Sequence, residues 1–187
     1  EENAVEFNVF DGVRILVSEQ ADGSMDRASI DKNLANFLKK TNILSPVAYC
    51  EQVHGEKINL IIKPGFYINV DGLVTGEDIG LVVKSADCIP LLLFFQKEGM
   101  IGALHVGWRS LAKGIISGSL KRIIEENSLS PTEAKIFIGP HIRKQSYEVR
   151  ENMVSQLPQR LNNFSVSYRN RFYFDLTEAA INELESI

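Results

Sequence analysis

Cysteine is scarce, with two in 187 residues, Cys50 and Cys88. That rules out a disulfide framework. One bridge is formally open, but two thiols in a chain of this size point to a reducing compartment, and the cytoplasm is expected. An excess of basic charge is also missing. The net charge is −4, which gives no global signal for nucleic acid or membrane surfaces. Long apolar runs are absent too: a stretch such as Ile89–Phe95 is far too short to span a bilayer. No secretory signal is visible, because the chain opens on the polar Glu1-Glu2-Asn3. Without an initiator Met it reads as processed or trimmed. Internal repeats, low-complexity tracts and linkers are likewise missing. What is there is 44% apolar and 24% charged, the balance of an ordinary soluble globular chain with enough residues for a sizeable core.

Apolar spacing sorts the chain into short elements. Residues 5–18 alternate loosely and predict two strands about Asp11-Gly12, followed by a loop over Gln20–Met25. Ile30, Leu34, Phe37 and Leu38 predict a helix over 28–40, with Ser29 or Asp26 as cap. Strands are predicted at Pro46–Val53, Lys57–Ile62, Gly80–Lys84, Ile89–Gln96, Met100–His105 and Ala134–Ile138. On a period of two, Cys50, Gln52 and His54 share a face. Ser110 is a plausible N-cap for one amphipathic helix that runs to about Asn127. Arg150–Leu161 reads as helical despite Pro158, and Asp175-Leu176-Thr177-Glu178 reads as a capping box opening a last helix. Several connections look too short for parallel crossovers, which favours a mixed sheet and an α+β fold.

The chemistry-bearing residues gather in Leu81–Gly114. If the turn Lys97-Glu98-Gly99 pairs its flanking strands antiparallel, Cys88 and His105 arrive at one sheet end although 17 residues apart. There are three histidines, His54, His105 and His141. His54 and His105 share a context, each at a strand end and followed closely by glycine. With Cys88 they form a possible ligand set, and a thiolate with two imidazoles suits zinc or copper. Three protein ligands leave a fourth position open. A metal-free reading stays equally open: Cys88 as nucleophile, His105 as its base, Gln52 or Asp71 as orienter. Each residue also has a plainer role. Cys50 reads as a small buried hydrophobe, Trp108 as packing or a pocket wall, and His141 as a surface or supporting group. Arg109, beside a helix start, reads as a solvated cap residue or part of an anion site.

Five motifs come in order: Gln52-Val53-His54-Gly55, Asp71-Gly72-Leu73-Val74-Thr75, Ala86-Asp87-Cys88-Ile89-Pro90, His105-Val106-Gly107-Trp108-Arg109, and Ile138-Gly139-Pro140 with Tyr147-Glu148-Val149. In these the chain, from about residue 46 to 178, resembles the YfiH family, also called laccase-domain or multicopper polyphenol oxidase proteins. The resemblance implies a layered α/β/β/α sandwich with mixed sheets. It implies one catalytic domain over residues 1–187 that stops short of a final Cys- and Arg-bearing segment of its relatives. It implies zinc, or alternatively copper, on His54, Cys88 and His105. Ser110 departs from the family, which often has glycine after Gly-Trp-Arg.

The activity the resemblance implies is phosphorolysis of adenosine, inosine, guanosine or methylthioadenosine, with adenosine deamination in some members. Its partners are then a purine nucleoside and phosphate. Arg109 would bind phosphate, Trp108 and Gln52 would face substrate, and Asp87 or Gln52 would orient ligands or water. Copper-dependent phenol oxidation is the older assignment for the family, but three histidines cannot build a mononuclear centre plus a trinuclear cluster. Two further readings remain: a metal-free Cys–His hydrolase or amidase on a peptidoglycan precursor, and a binding module with a structural ion.

Overall fold

A computed structural model describes residues 4–187, and the chain divides at Pro46 into two units. In the first, β1 (Val5–Phe10) and β2 (Val13–Val17) form an antiparallel hairpin. It turns at Asp11-Gly12, where Gly12 has the left-handed φ of 80° that glycine adopts without strain. The loop that follows contains one 3-10 turn, Gln20–Asp22. Helix α1 (Ile30–Lys40) buries Ile30, Leu34 and Phe37. Of its two candidate caps, Asp26 does the work: its Oδ1 accepts from the N–H groups of Ala28 and Ser29 at 3.0 and 2.9 Å.

The second unit, Val47–Ile187, starts with five short strands: β3 (Val47–Cys50), β4 (Ile58–Leu60), β5 (Gly65–Tyr67), β6 (Gly72–Thr75) and β7 (Gly80–Val82). The hairpin β8 (Ile89–Phe95) and β9 (Met100–Val106) follows, then α2 (Trp108–Lys113), α3 (Lys121–Glu126) and β10 (Ala134–Ile138). The chain ends with β11 (Glu148–Val149), α4 (Glu151–Val154), β12 (Ser165–Tyr168), β13 (Arg171–Phe174) and α5 (Leu176–Glu185). No described helix is long and apolar enough to cross a membrane.

Strands β3 to β7 alternate between two sheets. One sheet, ordered β5-β3-β7, is parallel. The other, β10-β8-β9-β6-β4, is antiparallel except for the parallel pair β4–β6. Short connections do build parallel pairs here, because each step crosses to the facing sheet and the next returns. The fold is mixed α/β with mixed sheets, as the sequence predicts. A third sheet, β11-β13-β12, is antiparallel.

The five-stranded sheet sends alternate side chains to its two faces. On one face Ile89, Leu91, Leu93, Phe95, Leu104 and Val106 pack with Leu111, Ile115, Ile116, Leu120 and the α5 residues Leu176, Ala179 and Ala180. On the other, Leu73 joins Ala48, Cys50, Ile61, Val70 and Ile79. The unit is therefore layered helix, sheet, sheet. Each fully buried Leu or Ile contributes roughly 1.5–3 kcal/mol, and these two clusters account for most of the core.

Three expectations need correction. The helix after the hairpin begins at Trp108 with Gly107 as N-cap, and Ser110 lies inside it. Ser110 Oγ accepts from Gly107 N–H at 2.9 Å and donates to the His105 carbonyl at 3.3 Å, so it ties down the turn from within. Nor is this one regular helix. Gly114 takes φ 93° and ends α2, and Ile115–Leu120 is π-helical, with Ser119 N–H reaching the Gly114 carbonyl at 3.0 Å. Apolar spacing alone does not reveal this, because the apolar set stays on the core side throughout. Finally, Pro158 does break the segment 150–161: α4 stops at Val154, and a 3-10 stretch Gln159–Phe164 follows.

Candidate metal centre

The centre starts where β3 stops. Beyond Cys50 the backbone of Gln52 and of His54 turns left-handed, at φ 64° and 56°. Period-two alternation ends there, so Cys50, Gln52 and His54 do not share a face as expected. Cys50 lies in the core between the sheets, and burial, with the Asp71 charge nearby, pushes its thiol up to about 12. Gln52 commits its carboxamide to the Lys84 backbone, donating to the carbonyl at 2.6 Å and accepting from the N–H at 2.8 Å. His54 is held from below by Lys113, whose Nζ donates to its carbonyl at 2.9 Å.

Cys88 and His105 are brought together by the hairpin. Antiparallel register pairs Pro90 with His105 and Ile89 with Val106, so Cys88 enters the sheet where His105 leaves it. The Ser85 hydroxyl donates to the Cys88 carbonyl, and Ile142 N–H donates to the Asp87 carbonyl at 3.0 Å. Leu104 and Val106 face the helical core, which turns the intervening His105 the other way. There it is buried, while His54 and Cys88 reach solvent. Gly107 permits the approach: a Cβ at this position would lie 2.7 Å from Cys88 Sγ and 3.5 Å from His54 Cδ2.

The ligand atoms of His54, Cys88 and His105 all lie within 4.8 Å of one another, the one such group found among the described residues. The two imidazoles meet edge to face, with centroids 4.7 Å apart. Behind them Asp71 is fully buried. Its Oδ1 faces His105 Nδ1 at 3.1 Å and accepts His54 N–H at 2.8 Å. Its Oδ2 accepts from Val53 and Gly55 N–H at 3.1 and 2.7 Å. Burial works to raise the Asp71 pKa, but the His105 bond and the backbone donors outweigh it and hold the carboxyl below its ordinary value. Burial would lower His105, yet its bonds to Asp71 and Cys88 carry it up to about 9. His54 is lowered, first by burial and then by His105. Two imidazoles and a thiol in this proximity fit a single zinc ion with one position left open. They do not fit a multinuclear copper cluster, since the chain has three histidines in all.

Arg109 is exposed, with its guanidinium 4.4 Å from the Trp108 ring centroid. Trp108 is half-buried against the helical core, and Asp87 is exposed. Tyr147 lies near the centre as well: burial, followed by the Cys88 charge, pushes its phenol up to about 12. His141 is committed elsewhere, its Nδ1 to the Gly139 carbonyl at 2.7 Å and its Nε2 to the Thr177 hydroxyl at 2.6 Å. The sequence gives no clue to Lys113 as a neighbour of the centre, and Tyr147, though it stands in the fifth motif, carries no role there. The sequence does hold a clue to Asp71, a carboxylate set between Val70 and Gly72-Leu73-Val74 where an apolar strand begins.

Comparison with known proteins agrees with the fold. The profile of the family described as multi-copper polyphenol oxidoreductase laccase matches residues 19–187. A purine nucleoside phosphorylase of Rickettsia conorii is 31% identical over 175 residues, covering 83% of this chain and 68% of that protein. One of Clostridium acetobutylicum is 28% identical over 125 residues, covering 66% of this chain and 52% of that protein. Among solved structures, YlmD from Geobacillus stearothermophilus has a TM-score of 0.76 at 26% identity, covering 86% of this chain and 66% of that one. The chain thus spans about half to two-thirds of the length of these relatives.

Proposed function

We infer from the family to which this chain belongs, the multi-copper polyphenol oxidoreductase laccases, that it acts as a purine nucleoside phosphorylase. That is the activity in the names of the Rickettsia and Clostridium relatives. The observation that carries the reading is the three-donor group His54–Cys88–His105, close in sequence to the exposed Arg109. These three residues would hold zinc. When bound, the ion would supply Lewis acidity and keep the Cys88 sulfur as thiolate.

In phosphorolysis a phosphate oxygen bonds to the anomeric carbon of the sugar as the bond to the purine nitrogen breaks. The nitrogen keeps the electron pair and takes up a proton. Arg109 is the cation for the phosphate, and its stacking on Trp108 limits where the guanidinium can go. Trp108 forms an apolar wall for the substrate, and Asp87 offers an exposed carboxylate beside Cys88 for orienting it. Gln52 serves by fixing the loop before His54, through Lys84. Adenosine deamination is a finer reading of the same centre. Two free thiols accord with a reducing cytoplasm.

Metal content decides first. About one zinc per chain, absent in Cys88→Ala, is expected in protein purified without added metal. Phosphate-dependent release of base from inosine or adenosine should follow, with Arg109→Ala raising the phosphate KM about tenfold, as loss of a charged hydrogen bond implies. Turnover unchanged in folded Cys88→Ala sinks the reading. One observation favours a second reading: His105 Nδ1 faces Asp71 at 3.1 Å, with Cys88 beside the ring. That is a nucleophile, base and orienter in line. No bound metal, with Cys88-dependent hydrolysis, would select it.

A further inference from the structure

We propose that Asp71 positions both imidazoles of the centre, holding them in register before an ion arrives. The inference rests on the reading that His54, Cys88 and His105 hold zinc. It assigns a task to a residue that contributes no ligand atom.

Three consecutive backbone N–H groups, those of Val53, His54 and Gly55, converge on this one carboxylate at 3.1, 2.8 and 2.7 Å. Successive N–H groups closing on an anion form a nest. Here the nest encloses a side chain of the same protein, and the residue at its middle is a ligand. His54 holds a left-handed backbone at φ 56°, which a residue with a Cβ rarely adopts. Three hydrogen bonds to a buried carboxylate offset that strain. The same Oδ1 that receives His54 N–H faces His105 Nδ1 at 3.1 Å. With Nδ1–H donated to Asp71, Nε2 of His105 is the nitrogen left for a metal. The Asp71 backbone adds a further link, its carbonyl accepting His105 N–H at 2.7 Å. One fully buried residue is thereby bonded to the backbone of one ligand and to both ring and backbone of the other.

The bond from the end of helix α2 differs in kind. Lys113 also fastens His54, through its carbonyl, but it touches one ligand only. Asp71 bonds to both, so altering it should change how the pair presents itself to an ion as well as how firmly the fold is held.

The test uses the full chain, with Zn²⁺ competed against a chromophoric chelator and Co²⁺ as the spectroscopic probe. Asp71→Asn keeps size but sets N–H against the nest. It should weaken zinc by roughly 10–100-fold and change the visible Co²⁺ spectrum, with far-ultraviolet circular dichroism retained. Gly55→Ala covers the case in which Asp71→Asn fails to fold. Its added methyl would lie 3.1 Å from Asp71 Oδ2 and so disturbs the nest while leaving the His105 bond. It should weaken zinc less and shift the Co²⁺ spectrum in the same sense. Zinc affinity and Co²⁺ spectrum both unchanged in folded variants would overturn the proposal. Weakened affinity with an unchanged spectrum would also overturn it, assigning Asp71 to bulk stability. A wild-type protein that binds no zinc would remove the metal reading itself, a result distinct from either.

Discussion

Gly107 controls the spacing of the centre at the scale of single residues. Its backbone, φ −108° and ψ 175°, is open to any residue, so an alanine there is not strained. The added methyl would instead press on Cys88 Sγ at 2.7 Å. Gly107→Ala should therefore lower zinc occupancy at least tenfold while costing about 1–3 kcal/mol of stability by overpacking; metal analysis and urea unfolding of one preparation check both. His105 supplies a pH prediction for the metal-free protein. Its folded value of about 9 lies above the ordinary imidazole value near 6.5. The charged ring then stabilises the fold fully below about 6.5, and the contribution fades as pH rises through about 9. The thermal midpoint of metal-free protein should fall across that window, and His105→Gln should flatten the slope. At this scale much of the centre is legible in sequence, because His54, Cys88 and His105 stand at turns marked by glycine or proline. The coupling through Asp71 is not. Its bonds run to backbone N–H groups 16 to 18 residues away and to a ring 34 residues away, and no local pattern encodes them.

Among the elements, the helical path after β9 departs most from its sequence pattern. The apolar positions Leu111, Ile115, Ile116, Leu120, Ile123 and Ile124 suggest one helix, and all six are buried. What the spacing cannot show is a left-handed Gly114 between α2 and the π-helical stretch. At the interruption the Leu111 carbonyl already takes Gly114 N–H at 2.9 Å, and Arg160 adds a second donor there: its Nη2 donates to the Leu111 and Ala112 carbonyls at 2.7 and 3.1 Å. The buried Glu183 steadies that guanidinium through a 2.8 Å bond to Nε. Gly114→Ala should cost about 1–2 kcal/mol, the penalty for a Cβ in the left-handed region, read as a lower urea midpoint with an unchanged slope. The hairpin β8–β9 was the most readable element, since long apolar strands flank a short polar turn. Strands β3, β4 and β7 are readable as strands, whereas β5 and β6 are not; none is readable as a partner, because pairing across alternating sheets leaves no mark on a segment of three or four residues.

For the whole molecule, an ion that binds the folded chain and not the unfolded one adds its binding free energy to stability. At a hundredfold excess over its dissociation constant the gain is about 2.7 kcal/mol. Zinc should accordingly raise the thermal midpoint of the wild type, chelation should reverse it, and Cys88→Ala should respond to neither. A calorimetric scan in the three conditions checks this; an equal shift in the variant would place the ion elsewhere. The weaving of β3 to β7 between two sheets has a kinetic consequence. His54 follows a strand of the parallel sheet, whereas Cys88 and His105 belong to the hairpin of the mixed one. The strands of the two sheets alternate along the chain, and the three donors sit together when both sheets are paired. On the proposed reading, zinc would be a lock applied to a finished molecule rather than a nucleus for building it: it should slow unfolding in proportion to the affinity gained and leave the refolding rate as it was.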